Sequence, residues 1–165
     1  MNGARAIVLV VDDDPDLQLL LRSTLQTEGY EVRSATGALS AMDRIREDRP
    51  QLVLLDLMMP EVDGWAVLEA HAREFADERD APRFIVVSAK AADEDRARAV
   101  GLGADDYVTK PFDPRALAGV IREVLARTRE EAEANRRALL ARLAARGAGR
   151  AGVGPDQGAP AAEAS

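Results

Sequence analysis

The chain has 165 residues, 47% hydrophobic and 31% charged, with a net charge of −7, which suits one ordinary domain with a real core and an appendage. The acidic balance argues against nucleic acid as a direct partner, and a sequence without cysteine has no disulfides and no thiolate metal ligands. The longest uncharged apolar run, Ala6–Val11, is far too short to span a bilayer, and no signal-peptide cleavage pattern follows it, so a cytoplasmic protein without membrane insertion is expected.

AIVLVV (6–11) is continuous and rich in β-branched residues, the pattern of a strand buried on both faces. Asp14 then caps a helix with Pro15 at its first position; Leu17, Leu20, Leu21 and Leu25 follow at helical spacing, and Gly29 ends it. YEVRSA (30–35) alternates and reads as a strand nearer an edge. Thr36 is expected to cap a helix carrying Leu39, Met42 and Ile45, ended by Pro50. QLVLLD (51–56) is a third strand, and Asp63-Gly64 opens a helix with Trp65, Val67 and Leu68. RFIVVS (83–88) is a fourth strand, followed by a helix that Asp93 is expected to cap. DDYVT (105–109) is a fifth, and Asp113-Pro114 starts a fifth helix through Leu125. Strands alternating with helices of this length imply an α/β fold, a doubly wound parallel sheet with five helices on its two faces.

After residue 127 the character changes. TREEAEANRR (128–137) is almost entirely polar, and ALLARLAAR (138–146) is rich in Ala, Leu and Arg. Good helix formers predict that the fifth helix runs on through this stretch to about Gly147. With almost no apolar face it is expected to project from the domain and fray. The glycine-rich remainder, 147–165, is expected to be disordered. The expected organisation is a domain over 4–127, a helical extension over 128–146 and a tail over 147–165.

The stretch LVLLDLMMP (52–60) places one carboxylate, Asp56, at the end of an apolar run, where burial of an unpaired charge is costly. In an open parallel sheet, ligands bind outside the carboxyl ends of the strands. Asp12 and Asp13 follow the first strand, Asp56 ends the third, Ser88 ends the fourth and Lys110 follows the fifth. Three carboxylates at one spot repel unless a cation joins them, and an all-oxygen set favours Mg2+ or Mn2+. Carboxylates are phosphoryl-transfer nucleophiles, and a metal with a lysine would neutralise the phosphoryl oxygens.

The segments VLVVDDDP (8–15), LVLLDLMMPEVDG (52–64), IVVSAK (85–90) and GADDYVTKPF (103–112) together resemble a response-regulator receiver domain, with the resemblance covering roughly residues 4–127. It implies the strand order 2-1-3-4-5 of the chemotaxis-regulator fold and a cis Lys110–Pro111 bond. It further implies Asp56 as phosphoacceptor, and Asp12 and Asp13 as the acidic pair for Mg2+, with the Met58 backbone carbonyl completing the ligands. Ser88 corresponds to the switch hydroxyl, Lys110 to the lysine that pairs with the phosphoryl group, and Tyr107 to the aromatic whose rotamer reports the state. The partners implied are a sensor histidine kinase or a histidine phosphotransfer protein. Output would pass to a downstream protein or a homodimer through the face of the fourth helix, fifth strand and fifth helix. Such a protein catalyses only its own phosphorylation and dephosphorylation; a receiver cut from a larger regulator would read the same way.

Other readings of these residues are weaker. Asp14 and Asp63 read as helix caps rather than ligands. His71, the one histidine, reads as a plain surface residue. A haloacid-dehalogenase-type phosphatase would use Asp12–Asp14, Ser88, Lys110 and the acidic pair Asp105–Asp106, but would leave Asp56 and its loop without a role.

Overall fold

The computed structural model describes residues 5–60, 63–75 and 78–151. Five strands, β1 (Ile7–Val11), β2 (Glu31–Ala35), β3 (Leu52–Leu55), β4 (Arg83–Ser88) and β5 (Asp106–Thr109), form one parallel sheet in the order β2-β1-β3-β4-β5. This is the order the resemblance implied, with the alternating YEVRSA strand at an edge. The helices are α1 (Pro15–Thr27), α2 (Ala38–Asp48), α3 (Gly64–Glu74), α4 (Asp93–Gly101), α5 (Pro114–Ala126) and α6 (Arg129–Ala151).

Alternating strand residues feed two cores. Leu9, Val11, Val53, Leu55, Phe84 and Val86 pack with α2, α3 and α4, while Val8, Val10, Leu52, Leu54, Ile85 and Val87 pack with α1 and α5. Both faces of the central strands are therefore dry, which explains their unbroken apolar runs. Asp14, Asp63 and Asp113 cap α1, α3 and α5 through their side chains, and Gly29 at φ 93° ends α1.

Two expected caps are not made. Gly37, not Thr36, is the N-cap of α2, because burying Ala38 against the core sets where the helix begins. Ala92, not Asp93, is the N-cap of α4; Asp93, Glu94 and Asp95 all lie in its first turn, where their charges complement the helix dipole instead.

The larger correction concerns the C-terminal segment. α5 does not run on. Arg127 is extended (φ −71°, ψ 137°), and its carbonyl accepts from Arg83 Nη2 at 2.9 Å. Thr128 then opens a separate helix with a capping box: its Oγ1 accepts from the Glu131 N–H at 3.2 Å, and its own N–H donates to Glu131 Oε2 at 2.7 Å. Nor does α6 project. It lies against α4, with Ala132 and Leu143 buried and Asn135, Arg136, Leu139 and Leu140 half-buried on one side. The spacing 132, 135, 136, 139, 140, 143 is a helical stripe, narrow enough to be hidden among polar neighbours. α6 continues through Ala151, so the tail expected from 147 begins later at the earliest; residues 152–165 lie outside the described residues.

Candidate functional site at the carboxyl ends of the strands

β1 and β3 are paired neighbours whose registers end together at Val11 and Leu55. The next residues, Asp12 and Asp56, therefore emerge side by side. Both are buried, at 3% and 5% exposure, whereas Asp13 is exposed. One carboxylate oxygen from each of Asp12, Asp13 and Asp56 lies within 4.8 Å of the others. Lys110, following β5, reaches back across the sheet: its Nζ stands 2.7 Å from Asp12 Oδ2 and 3.3 Å from Asp56 Oδ2. The Lys110–Pro111 bond is cis.

Burial pushes the Asp56 carboxyl above its ordinary range, with the charge of Asp12 adding to the effect; the Met58 N–H and the charge of Lys110 pull the other way. Burial also opposes the Lys110 charge, but its hydrogen bond to Asp12 and the charges of Asp12 and Asp56 outweigh this and raise the ammonium above its usual range. One lysine thus serves two repelling acids. The donors are all oxygen, with neither His nor Cys among them, so a hard divalent cation such as Mg2+ fits the set.

Met58 stands at the rim, 54% exposed, with its N–H donating to Asp56 Oδ1 at 3.0 Å. Ser88 is fully buried at the end of β4, and its Oγ accepts from the Lys90 N–H at 3.3 Å. The Tyr107 ring is turned inward and buried in the core beneath α4, and its hydroxyl donates to the Lys90 carbonyl at 2.7 Å. Burial pushes the Tyr107 phenol up. Ser88 and Tyr107 therefore meet at the β4–α4 loop.

Two contributors carry no chemistry of their own. Gly64 packs against the backbone of Asp56. A Cβ there would overlap the Asp56 carbonyl oxygen and stand 2.8 Å from Leu57 Cα, so only glycine lets α3 begin so close to the phosphoacceptor candidate. Gln18 of α1 donates from Nε2 to the carbonyls of Asp12 at 2.6 Å and Ala35 at 3.0 Å, fixing the chain where β1 and β2 end. The DG pair of residues 63–64 was legible as a helix start but not as a close approach. Gln18 had no signal, since one glutamine on a helix is unremarked.

Asp105 is not at this site. It precedes β5, at the opposite end of the sheet, and is 3% exposed. Its Oδ2 accepts from the Phe84 N–H at 3.1 Å, and its Oδ1 faces Arg136 at 2.7 Å and Arg83 at 3.4 Å. The acidic pair that a haloacid-dehalogenase-type site would require is thus not delivered to Asp12 and Lys110. His71 also departs from the sequence reading. It is half-buried between Phe75 and Phe84, with ring centroids 5.5 and 4.3 Å away. Burial, with the Arg136 charge nearby, lowers its pKa to about 4. No described helix is long and apolar enough to cross a membrane.

Residues 8–122 match the family model of the response regulator receiver domain. The chain is 40% identical over 120 residues to "Probable transcriptional regulator ycf27" of Porphyridium aerugineum, a match covering 73% of this chain and 48% of that protein. It thus spans about half the length of the curated relatives it matches. Among solved structures it is similar to a CheY-like response regulator receiver domain protein from Methanospirillum hungatei (31% identity, TM-score 0.67, covering 79% of this chain and 98% of that one). It is also similar to the non-phosphorylated HemR receiver domain from Leptospira biflexa (29% identity, TM-score 0.67, covering 76% and 98%).

Proposed function

The chain belongs to the response-regulator receiver family, and from that premise we propose that it is a phosphorylation-dependent regulator whose acceptor is Asp56. The observation that carries the reading is Lys110 Nζ placed between Asp12 and Asp56, with Asp13 beside them, at the carboxyl ends of adjoining strands. An Asp56 carboxylate oxygen attacks the phosphorus of a phosphohistidine or an acyl phosphate; the new O–P bond forms as the bond to histidine or acetate breaks, and that group leaves with its electron pair. Lys110 holds positive charge against the phosphoryl oxygens as the Asp56 carboxylate gives up its negative charge to the new O–P bond. Asp12, Asp13 and Asp56, with the Met58 backbone carbonyl, would hold Mg2+ or Mn2+, which when bound supplies further neutralisation of the same oxygens. Ser88, at the end of the neighbouring strand, would donate to the phosphoryl group, and Tyr107, bonded to the Lys90 carbonyl two residues on, would relay the change toward α4.

The donor is a sensor histidine kinase or a histidine phosphotransfer protein, and the output is a contact with a target protein or a second copy through α4, β5 and α5. A cytoplasmic setting suits both. The acidic balance supports a protein contact rather than direct nucleic-acid binding by these residues. Intact-mass measurement after acetyl phosphate and Mg2+ treatment is expected to show one added phosphate in the wild type and none in Asp56→Asn. Equal labelling of that variant would overturn the assignment. Asp13→Asn is expected to weaken Mg2+ binding in a titration.

A further inference from the structure

We infer that α6 is an intramolecular brake on the switch: by gripping α4 and the start of β5 it opposes the rearrangement that phosphorylation drives. The inference rests on the phosphoacceptor reading of Asp56 and goes beyond it. α6 lies wholly beyond residues 8–122, the span that matches the family model. What it does must therefore be read from its own contacts.

Those contacts fall on two levels. At its start α6 is fastened by charge and capping. Arg129 donates to the carbonyls of Glu78 and Arg79, and Arg136 pairs with buried Asp105 at 2.7 Å. Further along it is fastened by apolar packing. Val100 of α4 is 2% exposed yet belongs to neither core on the faces of the sheet, and it shares the groove between α3, α4 and α6 with Leu140. Ala132 and Leu143 are buried outside both cores in the same way. α6 and α4 are in contact, with Val100 and Leu140 lining one groove between them and Ala132 and Leu143 buried on α6 itself.

The elements held are those tied to the switch. Arg96 of α4 lies over the Tyr107 ring, 5.3 Å from its centroid, and donates to Thr109 Oγ1 at 2.5 Å. Tyr107 bonds the Lys90 carbonyl, two residues past Ser88. Asp105, which Arg136 grips, is two residues before Tyr107. A rearrangement that moves Tyr107 or α4 moves one end of these contacts while α6 holds the other. A rearrangement of α4 or Tyr107 that breaks these contacts forfeits the stability they supply, so by linkage α6 biases the chain against it by that amount.

The test uses the whole 165-residue chain with α6 released at either end. Leu143→Asp puts a charge into the apolar contact far from Asp105, and Arg136→Gln removes the ion pair while retaining a donor. Phosphorylation by acetyl phosphate is followed by intact mass, and backbone hydrogen exchange over α4 and α6 is measured with and without beryllofluoride and Mg2+. Both variants are expected to phosphorylate at least threefold faster than the wild type. In the wild type, beryllofluoride is expected to speed exchange over residues 132–143. Equal or slower phosphorylation in both variants, with α6 exchange indifferent to beryllofluoride, overturns the brake alone. A wild type that takes neither phosphate nor beryllofluoride overturns the phosphoacceptor reading and the brake with it.

Discussion

Asp56 and Asp105 are both buried aspartates facing cations, at opposite ends of one sheet, and their surroundings differ. Asp105 is saturated: one oxygen takes the Phe84 N–H, and the other is shared by Arg83 and Arg136. Asp56 has one backbone N–H and a lysine at 3.3 Å that sits closer to Asp12, and burial raises its pKa. A satisfied carboxylate fixes structure; an under-satisfied one keeps lone pairs and a neighbouring cation available to a reacting group. The difference teaches that burial of an acid does not by itself distinguish a site from a strut; the donor count around it does.

Loss of each acid should therefore have opposite consequences, and this is the largest effect expected. Asp105→Ala strands two arginines and the Phe84 N–H. It is expected to cost about 3 kcal/mol or more, the range for breaking a buried pair from one side. Asp56→Asn removes a carboxylate that burial and Asp12 both oppose, and is expected to leave stability unchanged or raised while abolishing phosphorylation. Chemical denaturation of the two variants measures both. If Asp56→Asn were as destabilising as Asp105→Ala, the contrast between the two ends would collapse.

The N-terminal end of the sheet should also show in pH dependence. His71 takes its proton near pH 6.5 in the unfolded chain but only at about 4 in the fold. Between those values the unfolded state binds more protons, so stability present above pH 6.5 is lost as the pH falls toward 4. The loss from this group is at most about 3 kcal/mol. His71→Phe, whose ring suits the neighbours Phe75 and Phe84, is expected to flatten that part of the stability profile. An unchanged slope between pH 6.5 and 4 would show that His71 is freely hydrated.

At the C-terminal end the corresponding probe is Gly64. A methyl group there meets the Asp56 carbonyl and Leu57 Cα, main-chain atoms that cannot rotate away. Gly64→Ala is expected to cost about 1–3 kcal/mol, the usual range for overpacking, and to slow phosphorylation through displacement of Asp56. Normal phosphorylation in a destabilised variant would make Gly64 a packing residue only.

The two ends were unequally legible in the sequence. At the C-terminal end, β1, β3 and β4 announced themselves by unbroken apolar runs that close on Asp12, Asp56 and Ser88, while Lys110 follows the less apolar DDYVT; strand order then brought Asp12, Asp13, Asp56 and Lys110 together. At the N-terminal end, Asp105 reads only as half of an acidic pair, because its partners Arg83 and Arg136 come from β4 and from a helix with little apolar face of its own. His71 read as exposed because its helix looks polar locally, while the rings that enclose it come from Phe75 and Phe84. The TREE capping box was present at residues 128–131 and was masked by good helix propensity on both sides of Arg127.

The smallest effect concerns that box and asks how α6 is attached. Thr128 caps α6 and turns the chain after α5, so its hydroxyl satisfies the Glu131 N–H while Glu131 satisfies the Thr128 N–H. Thr128→Ala removes one of these two bonds and leaves the other. Substitution of an N-cap threonine costs about 1 kcal/mol. Because α6 is held separately by Arg136 and Leu143, the loss should appear as faster hydrogen exchange over residues 129–132, with little change near Leu143. Thr128→Ser, which keeps the hydroxyl, should restore protection. A Thr128→Ala variant that loosens α6 along its whole length would mean that the cap, rather than the pairing of Arg136 with Asp105, governs its docking, and the N-terminal end of the sheet would then be less of a strut than its saturated aspartate implies.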